Sequence, residues 1–186
     1  MTTTLQWALW AVVMSVTLGL VARAWKKQAS SYSGDELRHP KVILVVALFT
    51  GVPFLAGAIA ALIFAGKDRW TSLVFLGFAG LGGYLLWEYL FVRYTLAAEG
   101  FGYRTLMAGR GFGRWAEVKA VKWSQTSKWF RLELGDGRVV RVSVLMLGLD
   151  RFATALVKNA TGAVIEPGTQ QLLEQCARGN PPSPWG

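Results

Sequence analysis

Apolar and polar positions divide the chain near residue 93. Before it, apolar residues run in three long segments, 5–22, 42–66 and 70–92, each close to the ~20 residues a helix needs to cross the hydrocarbon core of a bilayer. After it, the pattern alternates with the period of strands. Residues 94–96 and 101–106 read as two strands joined by a turn at Glu99-Gly100, and Arg114-Trp115 and 118–123 as further strand. A hairpin follows around Asp136-Gly137, from 128–135 and 138–144. Leu149, Phe152 and Leu156 then share one helical face, with Asp150 near the start and Gly162 past the end. A second short helix over 169–178 carries Leu172, Leu173 and Cys176, and the polar, proline-containing residues 180–186 read as disordered. The pattern thus predicts a three-helix membrane region over 1–92, a folded module over 93–160, and a short helix with a tail over 161–186.

Side-chain alternation sets the register of the second hairpin. A two-residue loop would put Arg141 and Ser143 on the apolar face of Leu132 and Phe130, which is the wrong face. A three-residue loop, Gly135-Asp136-Gly137 with Gly137 left-handed, pairs Leu132 with Val140 and Phe130 with Val142. Trp129, Arg131, Glu133, Arg141 and Ser143 then point outward, and Arg131 faces Arg141 directly. The glycines at 109, 111 and 113 lack the strand-to-helix context of a phosphate-binding loop and read as a flexible loop.

The first apolar segment lacks a positive n-region, so it reads as a retained helix, although Ala22-Arg23-Ala24 resembles a signal-peptide cleavage site. The second begins after Pro40 and contains Pro53, where a kink is expected; the third follows Asp68 and Thr71, either able to cap its start. Small residues recur at four-residue spacing, as Ala11, Ser15 and Gly19, then Gly57 and Ala61, then Ala79 and Gly83, and are expected to pack the helices together. Arg23, Lys26, Lys27, Arg38 and Lys41 lie between the first two segments, but only Lys67 and Arg69 between the second and third. The positive-inside rule places the N-terminus outside and the module in the cytoplasm, as in a multi-pass protein of the inner (plasma) membrane.

Composition supports a membrane protein: 53% of residues are hydrophobic and the formal net charge is +9. Basic residues near a membrane anchor suit anionic lipid, and no basic stripe lies on a nucleic-acid-reading element. One cysteine excludes an internal disulfide, and His39, the single histidine, lacks the sequence partners of a metal site or catalytic triad. The chain therefore predicts no catalytic residue, metal site or cofactor. Glu88 is the one acid within a predicted span; about one turn from Arg93, it reads first as a membrane-interface residue.

Tyr94-x-Leu96, Gly100-Phe101-x-x-Arg104, Arg114-Trp115-x-Glu117-Val118-x-x-Val121, and Phe130-x-Leu132 with Asp136-Gly137 and a closing helix resemble the bacterial pleckstrin-homology-like domains that follow membrane spans. The likeness covers residues 93–160. It implies an antiparallel β-sandwich or barrel closed by a C-terminal helix, acting as a membrane-associated interaction module without enzymatic activity. The expected partners are the bilayer and a protein, with an anionic lipid as the alternative; a transporter or membrane enzyme subunit is disfavoured. The candidate surface for a partner carboxylate or lipid phosphate is Trp129, Arg131 and Arg141.

Overall fold

A computed structural model describes residues 19–20, 22–24, 27–28, 32–64 and 70–182. The expected first span falls almost wholly outside them, as do Asp68, the loop cations Lys67 and Arg69, and the last tail residues. The second and third apolar segments form helices α1 (Lys41–Phe64) and α2 (Trp70–Phe91), both long and apolar enough to cross a membrane. Pro53 sits inside α1 without ending it. The two helices pack as a hairpin through small residues: Ala47, Ala58, Ser72 and Gly82 are buried, while Phe49 and Phe64 are 78% and 83% exposed. The closest approach is backbone against backbone, because a Cβ on Gly82 would collide with Gly51. The expected small-residue seam is therefore shifted: Gly57 meets the Phe75 ring, but Gly83 faces open space.

Among the described residues, eight strands form two sheets. β1 (Glu36–Arg38), β2 (Arg93–Leu96), β3 (Gly100–Thr105) and β4 (Gly109–Arg114) make the first, in that order and wholly antiparallel. β5 (Val118–Ser124), β6 (Trp129–Leu134), β7 (Val139–Ser143) and β8 (Val164–Ile165) make the second, in the order β7-β6-β5-β8, with only the β5–β8 pair parallel. β1 precedes α1, yet it pairs with β2, which follows α2. The helical hairpin is thus inserted between two neighbouring strands of one sheet. The sequence reading missed β1, because three residues with a single apolar position carry no measurable alternation; Leu37 is nevertheless fully buried.

Three other expectations change. Residues 109–113, expected as a flexible loop, form strand β4 together with Arg114, and Trp115, expected in a strand, opens a 3-10 turn, Trp115–Glu117. β4 is glycine-rich because the rings of β3 lie across it: Gly111 is opposite Tyr103 and Gly113 opposite Phe101, and a Cβ at either glycine would press on those rings. The first hairpin turn is also displaced by one residue. Ala97 and Gly100 exchange backbone hydrogen bonds, leaving Ala98-Glu99 as the turn.

The second hairpin has the expected register. Leu132 pairs with Val140, Phe130 with Val142 and Arg131 with Arg141, and Gly137 closes the loop at φ +84°. The inner faces of both sheets meet helix α3 (Leu149–Asn159) in one core that contains Phe101, Trp115, Phe130, Leu132, Val140, Val142, Phe152 and Leu156. The Phe101 and Phe152 rings meet edge to face at 5.6 Å. Helix α4 (Pro167–Ala177) adds Leu173 and Cys176 to the same core.

Candidate functional site at the junction of helix and sheet

The insertion of the helices brings the C-terminal turns of α2 against the open corner of the two sheets. A narrow cleft of about 50 Å³ lies there. Tyr84 and Glu88 come from α2, His39 from the β1–α1 link, Tyr94 from β2, Met107 from the β3–β4 turn, and Trp129 and Arg141 from β6 and β7. At roughly 10–15 Å³ per enclosed water, the space suits a few waters or one small polar group rather than a drug-sized ligand.

Its polar groups are arranged tightly. The Tyr84 hydroxyl donates to Glu88 Oε1 at 2.6 Å, and Glu88 Oε2 lies 3.9 Å from His39 Nε2. His39 is 6% exposed, and its Nδ1 is buried without a hydrogen-bond partner. Burial, and then the nearby Arg93 guanidinium, lower the imidazole from its ordinary 6.5 to about 4. His39 is therefore neutral near pH 7, and its approach to Glu88 is a polar contact rather than an ion pair: burial and Arg93 outweigh the carboxylate's attraction. The Tyr94 hydroxyl donates to the Arg141 carbonyl, and burial holds this phenol well above its usual range. With a neutral imidazole, two phenols, the Glu88 carboxyl group and the Arg141 guanidinium, the cleft is built for hydrogen bonding.

Of the residues singled out in the sequence, Glu88, Trp129 and Arg141 come together around this cleft, and Arg131 does not. Arg131 and Arg141 are cross-strand partners, but their heads diverge. Arg131 Nε lies 3.6 Å from Glu133 Oε1, which Lys122 also approaches at 3.4 Å. Arg141 instead lies over the Trp129 ring at 5.7 Å and reaches the Met107 sulfur. His39 escaped sequence reasoning because the group it faces, Glu88, lies far along the chain beyond an entire helical hairpin.

No other centre competes among the described residues. No group of three His, Cys, Asp or Glu side chains converges there. Cys176 is buried, and burial pushes its thiol up to about 12, so it carries almost no thiolate at neutral pH. Comparison with known protein families, curated proteins and solved structures gives no match.

Proposed function

We propose that the chain is a non-enzymatic, three-span protein of the inner (plasma) membrane whose cytoplasmic module works by binding a protein partner. The observation that carries this reading is the insertion of the α1–α2 hairpin between paired strands β1 and β2. Both helices leave the module from adjacent strands, so the anchor and the sheet share one backbone ladder and the module keeps a fixed attitude to the bilayer. Such coupling suits a docking platform. The two antiparallel-rich sheets closed by α3 support the pleckstrin-homology-like reading of residues 93–160. The basic link before α1 supports the cytoplasmic placement. Trp129 and Arg141 supply the anchor: a half-buried aromatic ring beneath a guanidinium, the residue types that dominate interface energetics.

The test is crosslinking from the face itself. With p-benzoylphenylalanine at position 129 of the full-length protein, irradiation of cells should yield a discrete crosslinked protein band. Arg141→Gln should weaken that band severalfold. Crosslinks to lipid alone would replace this reading with a lipid-binding one, and a diffuse ladder that Arg141→Gln leaves unchanged would remove Trp129 and Arg141 from function.

A further inference from the structure

Cross-strand register assembles something no single strand displays. Arg38 of β1 pairs with Arg93 of β2, Arg93 with Arg104 of β3, and Arg104 with Arg110 of β4. Directly opposed residues share a face, so four arginines, one per strand, form an unbroken row across the first sheet. At the usual strand spacing the row is about 14 Å from end to end. Its neighbour, Leu37-Tyr94-Tyr103-Gly111, points into the core, so the arginines lie on the outer face.

Like charges directly opposite one another oppose sheet formation, and here three such pairs run consecutively. Among the described residues, none of the four makes an ion pair with a carboxylate; the acids that form ion pairs are engaged elsewhere. Glu36, in the next row of the same face, pairs with none of them. Aromatic rings hold three of the heads instead: Arg38 lies 5.0 Å over Tyr32, Arg104 5.0 Å over Phe91, and Arg93 5.9 Å over Tyr89. Arg93 also donates to the Tyr89 and Val92 carbonyls at 2.7 and 2.8 Å, capping the end of α2. Two of these rings belong to the last turns of α2, so the heads gather where that helix joins the sheet. At the same rim the β3–β4 turn exposes Leu106 and Met107, 54% and 71% accessible.

We propose that the Arg38–Arg93–Arg104–Arg110 row binds the phosphates of anionic phospholipids in the leaflet through which α1 and α2 enter the membrane. Arginine suits this task, because its planar fork grips a phosphate through two hydrogen bonds and tolerates stacking on a ring. A row of uncompensated cations at the exit of two apolar helices is complementary to a layer of headgroup phosphates. The exposed Leu106 and Met107 side chains match the apolar boundary just beyond. The proposal rests on the membrane-spanning part of the functional reading above and on no part of its protein partner.

Full-length protein in detergent is titrated with phosphatidylglycerol and with phosphatidylcholine, and bound lipid is counted by native mass spectrometry. Wild type should prefer phosphatidylglycerol, and the preference should fall as salt rises. Each arginine removed should reduce it about fivefold, so R38Q/R104Q/R110Q, which leaves the helix-capping Arg93 in place, should lose on the order of a hundredfold. R38K/R104K/R110K should retain part of the preference, and R131Q/R141Q should retain all of it. Thermal melting of each variant establishes that it is folded. An unchanged preference in the glutamine triple, or an equal loss in R131Q/R141Q, would overturn the proposal, as would displacement of the lipid by equimolar inorganic phosphate. A single-stranded oligonucleotide that binds more tightly through the same three arginines would overturn it in favour of a nucleic acid. Extraction of the protein from membranes by alkaline carbonate would instead defeat the spanning reading, a failure separable from the headgroup comparison.

Discussion

The helical hairpin and the β-module are built from the same apolar residue types arranged in opposite senses. In the hairpin, large side chains such as Phe49 and Phe64 face outward, and the buried positions are Ala47, Ala58, Ser72 and Gly82. In the module, large side chains such as Tyr94, Phe101, Phe130 and Phe152 are fully buried, and small residues serve turns and ring-covered strands. The difference teaches which force organises each part. Water drives large apolar side chains inward, whereas helices in hydrocarbon gain nothing by burying them and approach through small residues.

The widest gap between the two regions should appear on truncating a phenylalanine in each. Phe152→Ala removes a ring that packs on Phe101 and Trp115 and should cost about 3–5 kcal/mol. Phe49→Ala, on the outer side of α1, should cost less than about 1 kcal/mol. Denaturant melts of the full-length protein in micelles check both, and equal losses would erase the contrast.

A smaller effect lies at the boundary between the regions. The folded pKa of His39, about 4, is below its unfolded value of 6.5, so the unfolded chain binds the extra proton first as pH falls. The stability linked to His39 is complete above pH 6.5, declines between pH 6.5 and 4, and is constant below. A shift of that size corresponds to about 3 kcal/mol across the window. His39→Gln should flatten that part of the pH–stability curve, and a slope of wild-type size in the variant would assign it to other groups.

Least is expected from the seam between the helices. Gly82→Ala places a methyl group against the Gly51 backbone, which must shift, at a cost of about 1–3 kcal/mol. Gly83→Ala, one residue along and facing open space, should be neutral or slightly stabilising through helix propensity. Resistance of the two variants to thermal unfolding in the same micelles separates them.

The extent to which the sequence could be read follows from the range of each signal. Helices α1 and α2 announce themselves through twenty-odd contiguous residues. The β6–β7 register is local too: alternation about one turn allows only one loop length that keeps Phe130 and Leu132 inside. β4 was hidden because a strand is recognised by its side chains, and two alternate residues of this one, Gly111 and Gly113, give their space to rings from β3. Of the candidate site, Glu88, Trp129 and Arg141 were legible as residue types out of place. Their meeting with His39 depends on a fold that brings distant segments to one corner. The arginine row is the extreme case, since each member is an ordinary surface cation until four strands are placed in register.

The insertion of α1 and α2 between β1 and β2 also has a consequence for how the chain assembles. Arg38 cannot meet Arg93 until everything between them has been made and both helices have been lodged side by side, so of the strands in this sheet the first waits across the longest stretch of chain for its partner. The entropy of closing so long a loop grows only with the logarithm of its length, and two helices already packed side by side bring the ends together at little further cost. Until then Leu37 is missing from the core and the edge of β2 lies open. On the membrane-spanning reading proposed above, a chain whose helices fail to insert would keep this edge unfinished, and completion of the sheet would record insertion.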